Sequence, residues 1–180
     1  MEFNKDGGNL IKILVDSREQ KQLSFIGLEN VDSVEKRKLD IGDYSVEYNN
    51  GYIPGLVFER KSISDLFGTM GKGYKRFKKE MERAERSGTL LIIIIEGTRS
   101  DVAKGHKYSK IKGKSIIKKL VTLFIRHGVW FVYCKNRKEM ALYIVDIFNG
   151  IGRENAEATK KVKKKRNKVD VAVVKDINYK

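Results

Sequence analysis

Asp43 and Glu59, with Lys61 two positions past the glutamate, are residue types suited to breaking a phosphodiester bond. Carboxylate oxygens bind hard cations such as Mg²⁺ or Mn²⁺, and the cation polarises a phosphate and supplies hydroxide from bound water. If Asp43 opens one strand and Glu59 ends another, hairpin-like pairing brings the two acids together across the ladder. Two carboxylates at one sheet edge repel each other unless a cation sits between them. Strand alternation points Glu59 and Lys61 to the same face, where an ammonium can hold the attacking water or offset charge growing on the phosphate. Plainer readings exist for every residue. Asp43 suits a turn, and Arg60 and Lys61 suit surface ion pairs. Asp65, three positions after Ser62, and Glu19, three after Asp16, both have capping-box spacing. The joint occurrence of these residues favours the metal-dependent nuclease set.

The elements that must position them can be read from apolar runs and turn residues. Strands are expected at 10–15, ending at Asp16, and at 34–39 and 44–48, with Asp40-Ile41-Gly42-Asp43 as the turn between the last two. Asn49-Asn50-Gly51 and Pro54-Gly55 mark turns before the apolar Leu56-Val57-Phe58, which places Glu59 at a strand end. From Ile63 the spacing becomes helical, with Ile63, Leu66, Phe67 and Met70 on one face. Gly71-Lys72-Gly73 then separates this segment from a second helix at 74–86. Residues 90–95 are apolar on both faces, as a covered central strand should be. A glycine-containing, lysine-bearing loop is expected at 97–113. Next come a helix through Leu120 that stops at His127-Gly128, a strand at 129–133 and a helix at 138–148. Strand, helix, strand, helix with short connections predicts parallel neighbours in an α/β fold. Asn149-Gly150-Ile151-Gly152, with Ala156 after it, reads as a glycine-rich helix stop and faintly resembles a DNA-binding hairpin. Val169, Val171 and Val173 alternate in a way compatible with a short strand.

Composition sets the partner class. The 180 residues carry 38 Lys plus Arg against 23 Asp plus Glu, a formal net charge of +15, with 41% hydrophobic residues. That length and apolar share suit one folded domain, and the charge favours a polyanion such as nucleic acid. The longest apolar run, 89–95, is far short of the ~20 residues of a membrane span, and the polar start lacks a secretory apolar region. A single cysteine, Cys134, allows no internal disulfide and no cysteine-based zinc site. An intracellular location is expected, cytoplasmic or nucleoid-associated in a prokaryote or phage and nuclear in a eukaryote. Lys72, Lys75, Arg76, Lys78 and Lys79 line or precede the second helix, where they either track a DNA backbone or form a solvated face. Residues 104–114, with His106 and Tyr108 among lysines, are either a nucleic-acid loop or a basic loop without a role. His127 reads as a helix-end residue, and Trp130 and Phe131 as core. The tract 160–168 holds seven basic residues and no acid.

Gly42-Asp43, then Glu59-Arg60-Lys61, three residues and Asp65 resemble the G-D-xn-E-R-K-x-x-x-D signature of the XPF-type (XPF/Hef-like) structure-specific endonucleases, a branch of the PD-(D/E)XK nucleases. Leu14-Val15-Asp16-Ser17-Arg18-Glu19 is similar to that family's acidic first motif, and 92–97, ending Ile-Ile-Glu-Gly, to its strand after the helix. Arg76-Phe77 with Glu80 departs from the family's arginine and glutamine at the last position. The resemblance covers 10–148. It implies a restriction-endonuclease-like mixed sheet flanked by helices, followed by a basic tail at 149–180 without a complete tandem helix-hairpin-helix module. It also implies Mg²⁺- or Mn²⁺-dependent cleavage of branched, flap or junction DNA, in repair or recombination. Asp43 and Glu59 would bind metal with the Arg60 carbonyl, Asp16 and Glu19 would complete the acidic pocket, Lys61 would assist the water, and Arg60 and Asp65 would organise the site. Family members commonly dimerise, as homodimers or heterodimers, through this domain, and helix 138–148 is the candidate surface, with a core-facing helix as the plainer reading. A non-catalytic DNA-binding or scaffold subunit, and a branch-resolving enzyme of another PD-(D/E)XK family, are the competing readings.

Overall fold

The structure, a computed structural model, describes residues 10–177. Six strands form one mixed sheet: β1 (Ile11–Asp16), β2 (Val31–Arg37), β3 (Tyr44–Tyr48), β4 (Leu56–Ser62), β5 (Leu90–Glu96) and β6 (Trp130–Cys134), in the order β2-β1-β3-β4-β5-β6. β1 is parallel to β2, and β4, β5 and β6 are mutually parallel. β3 alone runs against its neighbours β1 and β4. The ends of β1 and β4 and the start of β3 therefore share one edge of the sheet, where carboxyl ends of strands meet loops.

Side-chain alternation splits the core into two layers. Ile92 and Ile94 of β5 join Ile13, Val15, Tyr44, Val46 and Phe58 on one face. This layer is closed by Met140, Ala141, Ile144, Val145 and Phe148 of α5 (Arg137–Ile177). Ile93 and Ile95 join Val57 on the opposite face, beneath α1 (Ile63–Met70), α2 (Tyr74–Arg86) and α4 (Gly113–His127). Leu66, Phe67, Phe77, Met81, Ile116 and Leu120 supply the helical side of that layer. Each such apolar side chain contributes about 1.5–3 kcal/mol through burial, so the sheet edge carrying the acids is held from both faces.

Local chemistry explains the boundaries. Ser62 caps α1 by accepting a hydrogen bond from Asp65 N at 3.2 Å, which sets the turn from β4 into the helix. Gly128, at φ 63°, ends α4 in the left-handed conformation that a side chain disfavours. β2 begins three residues earlier and ends two earlier than expected, because Val31 joins the ladder opposite Ile11. β4 continues through Glu59 to Ser62, since Arg60, Lys61 and Ser62 all pair with β5. The expected loop at 97–113 contains a short helix, α3 (Arg99–Lys104), opened by a capping box of Thr98 and Asp101.

The C-terminal helix settles three readings of the sequence. α5 runs through Gly150 and Gly152 with no helix stop and no hairpin. Gly152 meets a packing demand instead: a Cβ there would lie 2.9 Å from Tyr48 Cε1, while Tyr48 Oη donates to the Phe148 carbonyl at 2.5 Å. The backbone thus passes from 148 to 149 unbroken, and Ile151 still packs on the core. Val169, Val171 and Val173 lie within the helical backbone, not a strand. Finally, the apolar side of 138–148 is buried against the sheet, so it is not a free docking surface.

The sheet's two edges differ. At the β2 side, Lys12 and Arg37 form ion pairs with Glu35 and Glu47 at 2.8–3.6 Å, a charged ladder across β2, β1 and β3. At the β6 side, Trp130 is 53% exposed, next to the exposed Val121, Phe124 and Ile125 of α4. Trp130 and Phe124 stack edge to face at 6.0 Å, so Trp130 is not the core residue its sequence context predicts. Among the described residues no helix is long and apolar enough to cross a membrane.

Candidate active site

Tyr44 pairs with Phe58 across β3 and β4, which places Asp43 beside Glu59. Gly42 makes the approach possible. It sits at φ 72°, and a Cβ there would lie 3.0 Å from both the Phe58 carbonyl oxygen and Val57. Asp43 N donates to Phe58 O at 2.7 Å, Asp43 O accepts from Asp16 N at 2.8 Å, and Asp43 Oδ2 accepts from Arg60 N at 2.7 Å. The backbone therefore fixes Asp43 from three sides.

Glu59 is buried, and Lys61 Nζ donates to its Oε1. Both follow Val57 on the α1–α2 face of β4, as strand alternation requires. Burial raises the Asp43 pKa to about 8, helped by the charge of Glu59 and opposed by the Arg60 amide. Burial likewise raises the Glu59 pKa; Lys61 opposes this, while Glu80 and Glu19 add to it. Burial alone would lower the Lys61 pKa, but Glu59 and its hydrogen bond outweigh it, and the net shift is upward. Two buried acids that resist ionisation beside a cationic lysine form a pocket that favours added positive charge.

The other predicted residues separate into distinct roles. Asp16 is buried with both oxygens engaged: Arg18 N and Nε donate to Oδ1 at 2.7 and 2.8 Å, and Arg18 Nη2 and Leu39 N donate to Oδ2 at 2.8 Å each. Burial would raise its pKa, yet these bonds outweigh it and hold the carboxyl below its ordinary value. No helix follows Asp16, so it caps none. Glu19 accepts from Lys21 N and stands 3.5 Å from Arg60 Nη2. Arg60 is buried on the α5 side of β4, between Glu19 and Glu96, the latter also at 3.5 Å. Asp65 stays at the helix start, bonded to Ser62. Among the described residues no three His, Cys, Asp or Glu side chains converge as a metal-binding group. The acids expected to form one pocket thus resolve into the pair Asp43–Glu59 and two ion-paired neighbours.

Glu80 is the residue whose role the sequence left open. It reaches from α2 to accept a hydrogen bond from Gly42 N at 3.0 Å, tying the helix to the turn that presents Asp43. Its helical spacing from Phe77 and Ala84 marks only its side of α2; the contact itself depends on tertiary packing. Lys72, Lys75, Arg76, Lys78 and Lys79 are all exposed on or before the same helix, and Lys78 has an ion-pair neighbour, Glu82 at 3.7 Å. Their helix thus borders the Asp43 turn with its basic face in water. His127 lies at the opposite end of α4 from this site, 3.9 Å from Glu85, as a helix-end residue should.

A mixed sheet between helical layers brings the paired acids to the end of its antiparallel seam. The ERCC4 domain family model matches residues 15–147. The chain therefore belongs to the ERCC4 domain family and carries an XPF-type nuclease domain. Among solved structures it is similar to XPF from Aeropyrum pernix, with a TM-score of 0.59 and 20% identity over 85% of this chain and 69% of that one. A second similar structure is XPF from Aeropyrum pernix in complex with DNA, with a TM-score of 0.58 and 21% identity over 82% of this chain and 66% of that one. No curated protein matches the chain.

Proposed function

We propose that the protein is a Mg²⁺- or Mn²⁺-dependent DNA endonuclease acting at branched, flap or junction DNA in repair or recombination. The observation that carries this reading is the buried pair Asp43–Glu59, with Lys61 on the same strand face. The donor set fits a hard divalent cation: two buried carboxyl groups at one sheet edge, whose ionisation burial and mutual repulsion oppose, are groups whose protons such an ion would displace. Asp43, Glu59 and the Arg60 main-chain carbonyl would hold it. When bound, it polarises the scissile phosphate and lowers the pKa of a water.

The chain's own residues supply the remainder. Lys61, kept cationic by Glu59, positions the attacking water and offsets charge growing on the phosphate. The Arg60 amide orients Asp43 through Oδ2. Arg60 itself, on the far face, anchors β4 to Glu19 and Glu96. Asp65 fixes the entry to α1, and Asp16 with Arg18 fixes the end of β1 against Leu39. The exposed cations Lys72, Lys75, Arg76, Lys78 and Lys79 bind DNA phosphates beside the site. The complex of Aeropyrum pernix XPF with DNA supports a DNA partner. A second copy or a related subunit docks on the exposed apolar patch of α4 and β6, where Trp130 and Ile125 lie.

Labelled flap, fork, four-way and linear DNAs incubated with Mg²⁺, Mn²⁺ or EDTA test the reading. Cleavage is expected only with metal. Asp43→Asn and Glu59→Gln are expected to lose at least ~100-fold in rate while still binding DNA. Absence of cleavage with either metal would favour a non-catalytic subunit, and a preference for four-way DNA alone would favour a branch-resolving enzyme.

A further inference from the structure

Beyond the acidic pair, we propose a second binding site: the cavity between α1 and the loop 105–112 takes one unpaired nucleobase of the DNA. This inference rests on the nuclease reading and narrows its substrate to DNA with a single-stranded stretch beside the cut. The cavity measures about 600 Å³, within the range of small-ligand pockets. Phe67, Gly68, Lys72, His106, Tyr108 and Lys110 are among its walls.

Three rings step outward along one side. Phe67, 2% exposed, lies 5.9 Å from His106, and His106 lies 5.7 Å from Tyr108, which is 81% exposed. Lys107 Nζ sits 4.6 Å from the Tyr108 ring centroid. A largely exposed ring with one lysine over a face matches how proteins bind single strands: a base can stack on the ring, and the displaced lysine meets a flanking phosphate. Duplex bases have both faces covered by neighbours, so only an unpaired base can present one to Tyr108. The floor of the pocket is open as well, because a Cβ added at Gly68 would meet nothing within 4 Å.

Placement ties this pocket to the cleavage site. Ser64 lines the cavity three residues past Lys61, and α1 is eight residues long. The pocket therefore lies within about 12 Å of the β4 end along the helix, a distance a single strand crosses in a few nucleotides. A base seated there holds its strand in register with the acids without touching them.

The test is fluorescence anisotropy without divalent metal, so that no strand is cut. It compares a fork with single-stranded arms against a fully paired duplex of the same length. Tyr108→Ala, which removes the ring, and Gly68→Leu, which fills the cavity, are expected to weaken fork binding about 5- to 100-fold. Duplex binding should stay within about twofold, and Tyr108→Phe should bind the fork as wild type does. A 2-aminopurine in the arm should be quenched by wild type and not by Tyr108→Ala. Fork affinity unchanged in Tyr108→Ala, or lost equally on both DNAs, would overturn the base pocket and leave the nuclease reading standing. Wild-type protein that binds neither DNA would overturn both. Should Gly68→Leu fail to fold, the surface residue Tyr108 still decides.

Discussion

Asp43 works against the fold that holds it. Its pKa rises from 3.8 to about 8, so as pH climbs through that interval the unfolded chain has released a proton that the native chain keeps. Native stability therefore falls as pH rises from about 4 to about 8, and levels off above. Melting of chelated protein should show this slope, and Asp43→Asn should make it shallower, leaving the part due to Glu59, and gain at least ~1 kcal/mol, or ~2–4 °C, at pH 8. Millimolar Mg²⁺ or Mn²⁺ should raise the wild-type melting temperature and leave Asp43→Asn unmoved. Glu80 offers a complementary measurement. Glu80→Gln keeps an acceptor for Gly42 N and is expected to melt within ~0.5 kcal/mol of wild type, while Glu80→Ala costs about 1 kcal/mol. At this scale the sequence was legible where chemistry depends on strand alternation: Glu59 and Lys61 share a face because they are two apart. It was silent where contacts cross the chain, as in Glu80 with Gly42, 38 positions away. Asp16 shows the same limit, because its charge is spoken for by Arg18 in a local turn that spacing alone cannot distinguish from a helix cap.

Among the elements, strands with strong apolar runs were readable, while the course of α5 through its glycines and the short α3 were not. β5 is buried on both faces because Ile92 and Ile94 meet α5 while Ile93 and Ile95 meet α1, α2 and α4, a pattern that six apolar residues in a row already encode. α5 defied the turn signals at Gly150 and Gly152, and at Gly152 the cost of about 1 kcal/mol for a helical glycine is offset by the close approach of Tyr48. Gly152→Val should therefore destabilise the protein by ~1–3 kcal/mol despite its better side-chain burial, read as a lower urea midpoint. Gly152→Val combined with Tyr48→Ala should recover part of that loss. α3 was missed although Thr98 and Asp101 stand in the sequence at capping-box spacing, since six residues give too little apolar periodicity to compete with Gly97 and Gly105 at either end.

For the whole molecule, the net charge of +15 has a directional use. If all five cations on and before α2 meet phosphates, log affinity for DNA should fall against log salt with a slope of about −4.5, and removing Lys75 and Lys79 together should reduce it by about 2. The apolar side predicts self-association: Trp130→Asp or Ile125→Asp should shift sedimentation toward a single copy without changing the melting temperature by more than ~2 °C. The sheet's unlike edges limit how far such association goes. On the β2 side, Glu35 and Arg37 of the edge strand pair with Lys12 and Glu47 further in, a charged face that disfavours another strand joining there even though Val34 is exposed. If copies pair through the α4–β6 rim, the unlike, charged character of the other edge sets them apart as a closing contact, and sedimentation should show pairs and no larger, open-ended series.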